Sequence, residues 1–173
     1  MELIEAIKGR RSIRKFKKQD VPEEHINQLI EAASYAPSAG NIQPWELVVV
    51  KNPAVKEKLV KASYNQAHIE QAPVVVVVCA DEKRSSMGYG ARGRTLYCLQ
   101  DTAAAIQNIM LTAYSLGLGT CWTGSFDEDE TKKALKIPLG IRPVAMIPIG
   151  YPDVNPRQRN KKLLNEITHY DTF

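Results

Sequence analysis

Pro73-Val74-Val75-Val76-Val77-Val78-Cys79-Ala80 is the stretch on which the fold turns. Five consecutive valines favour a strand, and the proline marks its start. Apolar side chains fall at both odd and even positions, so both faces of that strand are dry. A strand of this kind belongs in the middle of a sheet, with other layers covering it on each side. The apolar run from Ala72 to Ala80 is far too short to cross a bilayer.

Working outward from this strand, helical and extended patterns alternate. Glu2 to Lys8 places Leu3, Ile4 and Ile7 on one helical face, with Gly9 as its stop. A second helix is predicted over Pro22 to Tyr35, with Asp20 as its cap, Pro22 in the first turn, and Glu23 and Glu24 facing the positive end of the dipole. Pro37 to Pro44 reads as a loop, Leu47 to Val50 as a short buried strand, and Pro53 to Ala62 as a helix. Beyond the valine strand a long helix is predicted over Leu99 to Leu116, started near Asp101 and ended by Gly117. Its apolar residues run nearly all the way round, which predicts burial on most sides, in part against a second subunit. Thr120 to Trp122 and Val144 to Ile149 supply further strands, and a polar, proline-punctuated tail follows Tyr151. Interleaved strands and helices predict an α/β or α+β domain in three layers.

With 173 residues and no linker, the chain reads as one domain spanning 1–173. The start at Met1-Glu2 lacks the basic and apolar regions of a signal peptide. Cys79, Cys98 and Cys121 are odd in number and without CxxC spacing, so neither a disulfide framework nor a zinc site is implied, and a cytoplasmic location is expected. His25 is expected in solvent, and His68 and His169 lack metal-ligand spacing, so no metal is expected. The net charge of +4 is uneven, concentrated between Lys8 and Lys18 and between Arg157 and Lys162. No nucleic-acid-binding motif accompanies these patches, and no nucleic acid or membrane partner is expected.

Gly88-Tyr89-Gly90-Ala91-Arg92-Gly93 matches the dinucleotide pattern GxGxxG, but the pattern needs its first glycine at a strand end. Asp81 to Met87 intervene, and no acidic residue follows at the required distance. This segment reads instead as a mobile loop.

Three other stretches carry chemistry. Arg10-Arg11-Ser12-Ile13-Arg14 crowds three guanidinium groups and a hydroxyl into five residues, a set that repels itself unless an anion sits within it. In an extended chain Arg10, Ser12 and Arg14 point to one side, and Arg11 and Ile13 to the other. Pro37-Ser38-Ala39-Gly40-Asn41-Ile42-Gln43-Pro44-Trp45 offers a hydroxyl and two carboxamides with no charge, suited to a heteroaromatic ring edge or a polyol. Leu116 to Phe126 holds Gly117, Gly119 and Gly124, the last permitting close approach of backbone to a flat ligand. Together they read as a site for flavin mononucleotide (FMN), with phosphate at the arginines and the ring at the glycine backbone. Cys121, beside Trp122, reads as a packed thiol, and neither Tyr89 nor Tyr97 is assigned a role.

RRSIRKF, PSAGNIQPWELVVV, AAAIQNIMLTAYSLGLGTCWTGSF and the late IPIGYP followed by basic residues, in this order, resemble the nitroreductase family. The resemblance implies a three-layer α/β/α fold of the α+β class, with a mixed, mostly antiparallel sheet and a C-terminal tail extending onto the partner of a homodimer. It further implies an FMN-dependent oxidoreductase drawing hydride from NADH or NADPH. By a ping-pong route it passes reducing equivalents to a nitroaromatic, quinone or similar small acceptor. A reductive dehalogenase, a flavin-using dehydrogenase and a non-catalytic FMN-binding protein stand as alternatives. Matched by position, Arg10, Arg11, Ser12 and Arg14 hold phosphate and the pyrimidine side of the flavin. Pro37, Ser38 and Asn41 come from the partner subunit, and Gln66 touches the ring. Thr123 and Gly124 approach N5, while Arg159 and Lys161 complete the phosphate clamp, with Arg157 and Lys162 as close competitors. No side chain is assigned as a catalytic acid or base. The family's long insertion after the valine strand is absent, and Asp81 to Arg94 stands in its place.

Overall fold

The structure, a computed structural model, describes residues 2–173; Met1, quoted above with Glu2, lies outside the described residues. The valine run is β2 (Val74–Asp81), and it occupies the interior of a four-stranded sheet. β1 (Trp45–Val50) pairs with it on one side and β4 (Ile141–Gly150) on the other, and β3 (Gly119–Thr120) completes the order β1-β2-β4-β3. Every ladder is antiparallel. Among the described residues the one parallel contact is an isolated bridge between Ser12 and Thr120. A strand this apolar could equally serve a parallel sheet; what matters is that both of its faces are covered.

The pleat sorts the valines between two layers. Val74, Val76 and Val78 face α2 (Glu23–Ser34) and α6 (Cys98–Ser115), packing with Ile26, Leu29, Ala105, Ile106 and Ile109. Val75, Val77 and Cys79 face the opposite layer, where Leu59 of α3 (Pro53–Ala62) and Ile69 of α4 (His68–Gln71) join Met146 of β4. Ala134 and Leu135 of α7 (Glu128–Leu135) close that layer. Each fully buried Val, Leu or Ile side chain contributes about 1.5–3 kcal/mol relative to an exposed one. The predicted three-layer α+β architecture is therefore observed. Burial within that layer also pushes the Cys79 thiol up to about 12, leaving it an inert packing group. Among the described residues, no helix is long and apolar enough to cross a membrane.

Several boundaries differ from expectation. Asp20 is not the cap of α2; Pro22 holds that position without a side-chain acceptor, and Val21 is buried in the core instead. The long helix begins at Cys98, so Asp101 lies inside its first turn, where Oδ1 accepts the Ala39 N–H. Much of the burial expected from a second subunit is met within the chain. α6 packs on α2 and the sheet, and Ala105, Ile106, Ile109 and Ala113 are fully buried. Conversely, Leu3, Ile4 and Ile7 of α1 (Leu3–Gly9) are exposed, and Ala6 carries the packing of that helix. His25 is half-buried, and its Nδ1 lacks a hydrogen-bond partner among the described residues. α4 and α7 were not foreseen. α4 spans only four residues, and α7 is strongly charged, capped by Asp127 at its start and ended by Lys136 with positive φ.

The largest departure is the segment read as a mobile glycine loop. Residues Glu82–Arg92 form α5, kinked at Tyr89 and Gly90, and a π-helical turn over Gly93–Tyr97 leads directly into α6. Asp81 Oδ1 accepts the Arg84 N–H and starts the helix, and the buried Ser85 hydroxyl donates to Gly93 O at 2.9 Å across the kink. Gly90 sits at φ 55° and ψ −138°, a region closed to residues with a Cβ. Helix propensity along this stretch is poor, and tertiary contacts override it.

Past Gly150 the chain runs beside residues 15–17. Lys17 N–H donates to Tyr151 O, Asp153 N–H donates to Lys15 O, and Phe16 bridges Pro152. Beyond this anchor the tail leaves Leu163, Leu164, Ile167, Tyr170 and Phe173 in solvent.

A Cβ on Gly93 would fall 2.3 Å from Ser85 O, a backbone atom that cannot swing aside. Gly93→Ala is therefore expected to destabilise the domain by about 1–3 kcal/mol, the range for overpacking, measured by urea unfolding.

Candidate functional site

The arginine cluster sits where α1 ends and an extended segment begins. Ile13 is buried, and its N–H donates to Thr120 O. The approach is close enough that a Cβ on Gly119 would fall 2.6 Å from Ile13 Cγ1. With Ile13 pinned inward, Ser12 and Arg14 point to solvent, as the strand period predicts. Arg11 turns back instead. Its Nη1 donates to Lys8 O, Gly9 O and Arg10 O at 2.6, 2.9 and 2.8 Å, satisfying carbonyls at the end of α1. Arg11 thus has a structural task that its sequence position did not reveal.

The pairing of the tail with residues 15–17 brings the two basic stretches together. Arg10, Arg11, Ser12 and Arg14 line a cavity of about 500 Å³ with Arg157, Gln158, Arg159 and Lys161; Lys162 is not part of its wall. Among the described residues, no carboxylate lies within ion-pairing distance of Arg10, Arg14, Arg157, Arg159 or Lys161. These cations converge without an ion-pair partner among the described residues, the electrostatic signature of an anion site. A second cavity of about 640 Å³ shares Arg10 and Arg11 and continues along Tyr114, Gly117 to Thr120 and Pro152 to Pro156.

The charge of Arg14 is also felt by a second group of residues. His68, at the start of α4, is buried, and its Nε2 lies 3.0 Å from Thr123 Oγ1. Desolvation holds His68 below the ordinary imidazole range, and the positive charge of Arg14 adds to the effect. The buried ammonium of Lys56 fixes the other end of α4 by donating to Glu70 O and Ala72 O. Thr123 is fully engaged. Its N–H and C=O pair with Met146, and its hydroxyl meets His68. The next residue, Gly124, is exposed, and among the described residues no protein acceptor takes its N–H. Gln66 donates both hydrogens of its amide, to Ser63 O and to Ser125 O at 3.0 and 2.8 Å, leaving only Oε1 free. Thr123 and Gln66 therefore frame Gly124, whose N–H is an available backbone donor. His68 was missed because its spacing was weighed only for metal binding; nothing in the local sequence pairs it with Thr123, 55 residues away.

The polar loop lies apart. Pro37, Ser38 and Asn41 line neither cavity. Ser38 Oγ accepts the Gln43 N–H, and Gln43 Nε2 donates to Asn41 O and Oδ1, so the loop is tied chiefly to itself. Within one chain, then, the arginine cluster and the tail come together on one cavity wall, whereas Gln66, Thr123 and Gly124, like Pro37, Ser38 and Asn41, line neither cavity; the charge of Arg14 on His68 links the cluster to the Thr123 group.

Residues 7–69 and 62–151 match the model of the nitroreductase family. A protein of Methanothermobacter thermautotrophicus named for NADH dehydrogenase or NAD(P)H nitroreductase activity is 38% identical over 92% of this chain and 82% of its own. An FMN reductase [NAD(P)H] of Bacillus subtilis is 27% identical over 99% of this chain and 74% of its own. Among solved structures, an NADPH:FMN oxidoreductase from Vibrio harveyi complexed with NAD+ superposes with a TM-score of 0.91 at 26% identity, covering 99% of this chain and 77% of its own.

The His68 environment makes a pH prediction. The unfolded chain takes up a proton on this imidazole near the ordinary histidine value of about 6.5, whereas the folded chain does so only at lower pH. Between those points the unfolded state binds more protons, so folding stability falls as pH drops through that window. In His68→Gln this component is expected to vanish, measured as a flatter dependence of unfolding free energy on pH.

Proposed function

Because the chain belongs to the nitroreductase family, it is an NAD(P)H-dependent flavin oxidoreductase, and we propose that it works as an FMN-bearing homodimer on small oxidising acceptors by a ping-pong route. A nitroaromatic, a quinone or a similar planar molecule is the expected acceptor class. A single domain over 1–173 and a cytoplasmic setting complete the reading.

The observation that carries it is the meeting of unneutralised cations from two ends of the chain on one cavity wall. The donor set fits the cofactor. Guanidinium forks at Arg10, Arg14, Arg157 and Arg159, with Lys161 and the Ser12 hydroxyl, suit a phosphate dianion. The Gly124 N–H suits an acceptor nitrogen on a flat ring, and glycine leaves its backbone unshielded. Held by these groups, FMN would supply the redox chemistry, hydride acceptance from NADH or NADPH and delivery of reducing equivalents to a second substrate.

The chain's own residues then have defined tasks. Arg10, Arg14 and the tail cations bind and orient the phosphate. Arg11 acts indirectly, holding the end of α1 so that Arg10 and Ser12 project correctly. Thr123, locked between Met146 and His68, and Gln66, locked onto Ser125, keep Gly124 where its N–H can donate. In the proposed homodimer the hydroxyl and carboxamides of the Ser38–Asn41 loop, which line neither cavity of their own chain, are supplied by a second copy. Exposed Leu3, Ile4 and Ile7 on α1, and the exposed apolar side chains of the tail, support the same arrangement, with the tail lying on the partner. No side chain is needed as acid or base; water can supply protons to the acceptor.

The purified protein is expected to be yellow and to release FMN on denaturation. Arg10→Ala should weaken FMN binding by about tenfold to a hundredfold, as loss of a charged hydrogen bond implies, without unfolding the domain. Anaerobic addition of NADH or NADPH in a stopped-flow instrument should bleach the flavin absorbance. A chain that takes up no FMN, or one indifferent to both nicotinamides, contradicts the reading.

A further inference from the structure

Behind the polar loop lies a carboxylate whose burial is costly. Asp101 is only 7% exposed, inside the first turn of α6. Oδ1 accepts the Ala39 N–H at 3.1 Å, across 62 positions of sequence, and Oδ2 is buried with no hydrogen-bond partner among the described residues. Withdrawing a half-paired charge from water opposes folding, and here desolvation raises the carboxyl above its usual range while the Ala39 amide pulls it back down. A favourable contact with the helix dipole would not require this burial, since an exposed carboxylate at the same helix end provides it.

What Asp101 touches gives the reason for its presence. Gly40, Asn41 and Gln43 have φ of 54°, 56° and 53°, left-handed values that non-glycine residues rarely adopt, with Ile42 between them in the right-handed region. Two hydrogen bonds tie this segment to the α5–α6 region. Asp101 holds Ala39 at one end, and Arg84 Nη1 donates to Gln43 O at the other. Between them the Tyr89 hydroxyl closes over Gly40, where a Cβ would meet it at 2.6 Å. The loop is thus bent into an unfavourable shape and pinned at its two ends.

Resting on the flavin reading of this loop, we propose that Asp101 is a positioning residue: by accepting the Ala39 amide it sets where Ser38 and Asn41 present their polar groups to FMN. It touches neither cofactor nor substrate. Its half-paired burial is retained at the expense of stability because loop position depends on it, which separates it from a residue kept for folding.

Asp101→Leu removes the acceptor, and Asp101→Asn keeps one. In the full chain, Asp101→Leu is expected to melt at or above the wild-type temperature. Its backbone amides between Ala36 and Trp45 should exchange hydrogen about tenfold faster, and its FMN dissociation constant should rise about tenfold; Asp101→Asn should stay near wild type in both. If Asp101→Leu fails to fold, Asp101→Ser, whose hydroxyl is too short to reach Ala39, takes its place in both measurements. Wild-type exchange and FMN affinity in the acceptor-free variant overturn the proposal, as does an Asn variant as impaired as the Leu one. Exchange is read without FMN, so failure of the wild-type chain to take up FMN is seen separately and overturns the flavin reading itself.

Discussion

Everything in this molecule is arranged around the need to keep both faces of β2 dry. A strand that is apolar from Val74 to Ala80 has no side to turn to water, so a helical layer must form on each side of the sheet. The pleat then divides the work, sending Val74, Val76 and Val78 toward α2 and α6, and Val75, Val77 and Cys79 toward α3, α4 and α7. β4 joins on the other edge of β2, and its continuation, past Gly150, becomes the tail. The location of the functional groups follows from this framework.

Strand-like pairing, parallel at Ser12–Thr120 and antiparallel at Phe16–Pro152, is what closes the basic cavity. The segment after α1 is held by Ile13 against Thr120 and by Lys15 and Lys17 against the chain that leaves β4. Two basic stretches nearly 150 residues apart in sequence are thereby placed on one cavity wall. The repulsion among them is tolerated because the apolar contacts of Ile13 and Phe16 with Ala72, made beneath the cations, hold the backbone in place.

The sequence was legible where its pattern reports a local physical requirement. Alternation around Ile13 placed Ser12 and Arg14 outward, and the apolar run placed β2 centrally. It was illegible where a side chain's partner is distant. Nothing near Arg11 says that its guanidinium turns back onto α1, and nothing near Gln66 says that its amide grips Ser125. The glycine-rich segment after β2 misled for the same reason. Its propensity favours a loop, yet the Asp81 cap and the Ser85–Gly93 hydrogen bond make it helical. That helical segment in turn supports the polar loop through Arg84 and Tyr89.

Sequence alone determined the fold class, the core strand, the family resemblance and the chemical character of each site segment, because burial periodicity and charge clustering are properties of consecutive residues. Only the tertiary structure decided which donors remain available. It committed Arg11, both amide hydrogens of Gln66 and all of Thr123's polar groups, left the Gly124 N–H unpaired, and buried His68 and Asp101 as supports. A hydrogen bond between residues 55 or 62 positions apart is set by how the layers pack. Until packing is complete, each such group is an unpaired donor or acceptor like any other.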